Sequence, residues 1–108
     1  MKKFLMAAAA AGALLMSGQA AMAEAVKLQL KWVTQAQFAG YYVAAAKGFY
    51  KDAGLDVTIL PGGPDINPQQ VLAGGGADVV VDWMPSALAT REKGSPVVNI
   101  AQIGRAHV

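Results

Sequence analysis

"PGGPDINPQQVLAGGGADVVVDW", from Pro61 to Trp83, decides how this chain is built. It can be read as a phosphate-cradling loop, a flexible linker or one wall of a binding pocket. A phosphate loop of the P-loop kind needs G-x-x-x-x-G-K-[ST], and no such run is present. The G-x-G-x-x-G dinucleotide fingerprint would follow the first strand, where "TQAQFAG" stands instead. A linker would not carry a capped helix. Here Asn67 suits an N-cap, Pro68 suits the first helical position, and Gln70 stands where a capping box takes Gln or Glu. The helix closes at Gly74-Gly75-Gly76, read as a chain reversal. "ADVVVD" then reads as a strand without alternation, as when both faces are covered.

Working outward, "VKLQLKWV" (Val26–Val33) alternates Val26, Leu28, Leu30 and Trp32 against Lys27, Gln29 and Lys31, a strand of period two. In "AQFAGYYVAAAKG", Phe38, Tyr42, Ala45 and Phe49 fall on one helical stripe, and Gly48 is a natural stop. "FYKDAG" reads as an extra turn closed by Gly54, with Tyr50 and Phe49 packing in the core. "LDVTIL" (Leu55–Leu60) is a second strand. "PSALATREKG" reads as a third helix with Pro85 near its start, and "VVNIA" as a fourth strand after Ser95-Pro96.

The order β-α-β-α-β-α-β implies an α/β fold with a mainly parallel sheet and right-handed crossovers. In such sheets ligands bind beyond the carboxyl ends of the strands. That rule selects three loops: Trp32–Phe38, Pro61–Asn67 and Asp82–Ser86. Trp32 and Trp83 fall at strand ends and Phe38 opens the first helix, so these aromatic side chains are expected to gather around a cleft suited to a flat ring. Gly62 and Gly63 serve either close backbone approach by a ligand or the turn alone. None of the three loops contains Arg or Lys, which favours a neutral ring over an anion, although helix N-termini also hold anions.

The ends set the context. Lys2 and Lys3 precede an apolar run from Phe4 to Met16 and a small-residue stretch ending Ala21-Met22-Ala23. This is the layout of a secretory signal peptide over residues 1–23, cleaved after Ala23, and the run is short for a transmembrane helix. A periplasmic location is therefore expected. The net charge of +2 comes from that leader, since basic and acidic residues balance from Glu24 onward. Charge thus gives no reason to expect nucleic acid. Cysteine is absent and His107 is the single histidine, so no metal site or Cys-His or Ser-His pair is expected over the rest. Ile103–Val108 can be encoded by ATC GGA AGA GCA CAC GTC, part of a common sequencing adapter. Residues 24–102 are therefore expected to be the native N-terminal part of a lobe, and 103–108 a non-native tail.

"LKW", "FAGYYVA…KGFYKDAGLDV", "PGGPDINP" and "DWMPSALA" together resemble the start of an NMT1/THI5-like periplasmic solute-binding protein, over essentially all of Val26–Ile103. The resemblance implies a type II periplasmic-binding-protein fold with two α/β lobes, of which this is part of the first. It implies an importer of the ABC class, with direct contact to a permease and an ATPase behind it, a monomeric full-length protein and no cofactor. Known members bind pyrimidine precursors of thiamine, and relatives bind riboflavin, sulfonates or nitrate. By this analogy Trp32, Phe38, Gly62, Gly63, Asp82, Trp83 and Ser86 line the cleft, with Asp82 accepting hydrogen bonds from ligand N–H groups. The family's eukaryotic pyrimidine synthases carry a Lys and a His at positions matching Asp82 and Ser86. Their absence argues against an enzyme. A ligand-sensing domain of a membrane receptor is the alternative that the same fold allows.

Overall fold

The computed structural model describes residues 22–104. The expected leader, apart from Met22 and Ala23, and Arg105–Val108 of the expected tail lie outside the described residues. Three parallel strands form one sheet in the order β2-β1-β3. They are β1 (Glu24–Gln29), β2 (Leu55–Leu60) and β3 (Val79–Val80). A 3₁₀ turn (Ala36–Phe38) leads into α1 (Ala39–Ala46), followed by α2 (Phe49–Asp52), α3 (Pro68–Ala73) and α4 (Met84–Glu92).

β1 is the centre of the sheet. It pairs with β2 from Glu24↔Leu55 to Gln29↔Leu60, and with β3 at Leu28↔Val79 and Gln29↔Val80. The chain therefore steps from β1 to β2 in one direction and returns past β1 to β3 in the other. Right-handed crossovers then place α1–α2 and α3 on opposite faces of the sheet.

One face is apolar. Leu28, Leu30 and Phe38 form its buried cluster, with Tyr41, Tyr42, Val57, Ile59, Val79 and Val81 packed against it. Leu30 is fully enclosed, and burying such a side chain is worth about 1.5–3 kcal/mol. The helices start and stop where glycine and asparagine permit. Gly48 and Gly54 take positive φ (77° and 78°) at the ends of α1 and α2. The Asn67 side chain accepts from the Gln69 and Gln70 N–H groups at the start of α3.

Two sequence expectations change. The stripe Phe38, Tyr42, Ala45, Phe49 does not survive, for Ala45 is exposed and Phe49 is 56% exposed. A 3₁₀ turn has three residues per turn, and left-handed Gly48 breaks the helix, so a 3.6-residue period cannot run across this segment. Phe38 and Tyr42 stay inward, and Tyr41 and Tyr50 join them half-buried, with the Tyr50 hydroxyl donating to the Tyr41 carbonyl at 3.0 Å. Burial raises the pKa of both phenols, and at Tyr41 the neighbouring Tyr50 adds to it.

The fourth strand also fails to form. Val97–Ala101 joins no ladder, and Val98 and Ile100 are exposed. The segment is tied to α4 instead, through Ser95 N–H to Thr90 C=O and the Arg91 guanidinium to Val97 C=O.

Candidate functional site

Because all three strands are parallel and in register, their carboxyl ends open on one edge. β1 runs on into Lys31 and Trp32, β2 into Pro61–Gly63, and β3 into Val81–Trp83. Main-chain bonds hold these extensions together: Leu30 N–H to Leu60 C=O (2.8 Å), Gly62 N–H to Trp32 C=O (2.9 Å) and Val81 N–H to Gln29 C=O (2.8 Å).

The face opposite Leu28 and Leu30 is polar here, yet it is not solvated. Gln29 is buried, and its amide donates to the carbonyls of Leu30, Leu60 and Pro61, which stitches β1 to the loop after β2. Asp82 organises the other side. Its Oδ1 accepts from the Trp83 N–H at 2.8 Å and lies 2.9 Å from the Lys31 ammonium. Its Oδ2 accepts from Gln69 Nε2 (3.0 Å) and Ser86 Oγ (2.8 Å). One carboxylate thus ties together β1, the end of β3, α3 and the first turn of α4. Burial pushes the Asp82 pKa up, but the hydrogen bonds from Lys31, Ser86, Gln69 and the Trp83 backbone outweigh it and hold the group below its ordinary value. The Gln69 amide must turn its N–H side to this carboxylate, which leaves its buried Oε1 without a partner.

The residues expected to line a cleft divide into two groups. Trp32 (38% exposed) and Trp83 (68% exposed) stand at the carboxyl edge. Trp83 is also the N-cap residue of α4, which has no side-chain cap. Phe38 does not join them. It is 5% exposed and packs with Leu28 and Leu30, because the 3₁₀ turn rolls it under α1. Gly62 is needed for chain packing, since a Cβ there would sit 2.5 Å from the Leu30 carbonyl oxygen and 2.7 Å from the Trp32 nitrogen. Its N–H is already spent on Trp32, so the turn reading of this glycine prevails over ligand approach. Gly63 is buried and has space for a Cβ. Asp82 has a side chain only 3% exposed and four donors filling both oxygens, so it orders the loops rather than offering a free acceptor. Ser86 points its hydroxyl into the same carboxylate.

Sequence reasoning missed Lys31, Gln29 and Gln69. Lys31 brings a cation to an edge expected to have none, with its ammonium 5.1 Å from the centroid of the Trp83 ring. Ion pairing with Asp82 leaves the edge locally neutral. The available signal was a Lys-Trp pair at one strand end and an Asp-Trp pair at another, both on the edge that the parallel-sheet rule selects. Two surface concavities of the described residues lie elsewhere, one around Arg91 and Gly94–Val98 and one around Tyr50 and Leu55–Val57. The carboxyl edge is an open wall. Among the described residues there is no acidic, His or Cys cluster suited to a metal, and no helix long and apolar enough to cross a membrane.

The sequence pattern described as NMT1/THI5 like matches residues 35–108. A curated relative, the formylaminopyrimidine-binding protein of Halalkalibacterium halodurans, is 32% identical over 82 residues, covering 76% of this chain and 25% of the relative. The chain therefore spans about a quarter of that relative's length. No solved structure matches it. The three-stranded parallel α/β unit is that of a fragment of a periplasmic-binding-protein-like fold.

Proposed function

The chain belongs to the NMT1/THI5-like family, and from that premise we propose that it is the first-lobe wall of a solute-binding protein for a small, flat heteroaromatic ligand, of which a pyrimidine precursor of thiamine is the leading case. The single observation that carries this reading is the pair of exposed tryptophans at the carboxyl edge of a parallel sheet. An indole that is largely solvent-exposed beside a rigid polar network presents a ready stacking surface, and stacking contributes about 0.5–1.5 kcal/mol beyond area burial. The relative's name, a formylaminopyrimidine-binding protein, supports the ligand class.

In this reading the protein binds and releases its solute without chemical change. At positions 82 and 86 it has a carboxylate and a hydroxyl hydrogen-bonded to each other, not an amine and an imidazole. The full-length protein is exported to the periplasm after cleavage at Ala23 and delivers its solute to the permease of an ABC importer. The test is calorimetric titration of the full-length protein with a formylaminopyrimidine, riboflavin, taurine and nitrate. The pyrimidine is expected to bind best, and Trp83→Ala to weaken it about tenfold or more. Tightest binding of taurine or nitrate would overturn the ligand class.

A further inference from the structure

We propose that Lys31 is a positioning residue that holds the Trp83 ring as a fixed platform, with its ammonium against one face of the indole so that a ligand stacks on the other. Trp83 is 68% exposed. Exposure of that kind ordinarily leaves a side chain free to change rotamer. Here the ring lies 5.1 Å from the Lys31 ammonium, within cation–π range. The ammonium is itself fixed, because Asp82 Oδ1 lies 2.9 Å away and Asp82 is anchored by Gln69, Ser86 and the Trp83 N–H. The chain of restraint therefore runs from α3 and α4 through Asp82 to Lys31, and from Lys31 to the ring. Lys31 and Trp83 sit at the ends of neighbouring strands, so the contact also sets the spacing of the β1 and β3 loops. The effect on affinity rests on the stacking function proposed above, whereas the placement of the ring does not.

The experiment has two arms on the full-length protein. In the first, the NMR shifts of the Lys31 ε-methylene protons are recorded without ligand. Contact with the indole face moves them upfield, and Trp83→Leu abolishes the shift. Ordinary lysine shifts in the unsubstituted protein would overturn the proposal, and no variant need fold for this reading. In the second arm, affinity for a formylaminopyrimidine is measured in a double-mutant cycle. Lys31→Gln is expected to weaken binding about two- to fivefold, the scale of an exposed cation–π contact. Lys31→Arg, which keeps a cation over the ring, is expected to restore it. In a Trp83→Leu background, Lys31→Gln is expected to cost nothing further. An equal further loss there would mean that Lys31 acts on the ligand directly, and would overturn the positioning role. An intact ring-current shift without any pyrimidine binding would sink the proposed function and leave the placement of Trp83 by Lys31 supported.

Discussion

The two faces of the sheet are built on opposite principles, although both are covered. On one, Leu28, Leu30 and Phe38 pack under the 3₁₀ turn and α1, and the stabilisation is non-directional burial. On the other, Gln29 donates to the carbonyls of Leu30, Leu60 and Pro61, and Asp82 holds Lys31, Gln69 and Ser86, so the polar contacts are directional. The apolar face can tolerate changes of shape that conserve volume. The polar face cannot lose a member without leaving a buried group unpaired. The contrast assigns the first face to stability and the second to holding three loops at one edge.

The largest expected effect breaks the apolar face. Leu30→Ala empties a fully enclosed site and should cost about 2–5 kcal/mol of unfolding free energy, read from denaturant midpoints of the full-length protein. Asp82→Ala should cost about 3 kcal/mol by the same measurement, because it strands the Lys31, Gln69 and Ser86 donors together. A loss under about 0.5 kcal/mol would show the polar face to be ornamental. Acid sharpens the distinction. The folded-state pKa of Asp82 is lowered, so its contribution is present above the unfolded carboxylate value of about 3.9 and is lost as pH falls through the lower folded value. The stability gap between the unsubstituted protein and Asp82→Asn should therefore narrow only in that acid window, whereas the gap to Leu30→Ala should not track this titration. Gly62→Ala should cost about 1–3 kcal/mol through its backbone clash, with Gly63→Ala as the mild control. The smallest effect is Tyr42→Phe, which removes the exposed 3.0 Å bond to Thr34 Oγ1 and should cost about 0.5 kcal/mol.

The apolar face was largely legible in the sequence. Alternation at Leu28 and Leu30, the stops at Gly48 and Gly54, and the Asn67 cap are local signals, and each marks a feature of the fold. Trp32 and Trp83 were placed at the edge by the topology rule for parallel sheets. What local pattern could not supply was the partner of each polar residue. Gln29 and Lys31 look like the solvent side of a half-buried strand, whereas Gln29 is buried against the end of β2 and the loop after it, and Lys31 meets Asp82 once the chain returns through α3 to β3. Asp82 looked like a free acceptor for the same reason, since Lys31 is far from it in sequence. Phe38 was misplaced because a single 3₁₀ turn redirects a side chain that a uniform helical period would leave at the edge.

The stacking role of Trp83 is tested most directly by a crystal structure of the full-length protein with a formylaminopyrimidine bound. The pyrimidine ring is expected to stack on the face of Trp83 away from the Lys31 ammonium, with Asp82 still holding Lys31, Gln69 and Ser86 and making no bond to the ligand. A pyrimidine bound away from Trp83, or one that has displaced Lys31 to pair with Asp82 itself, would contradict it.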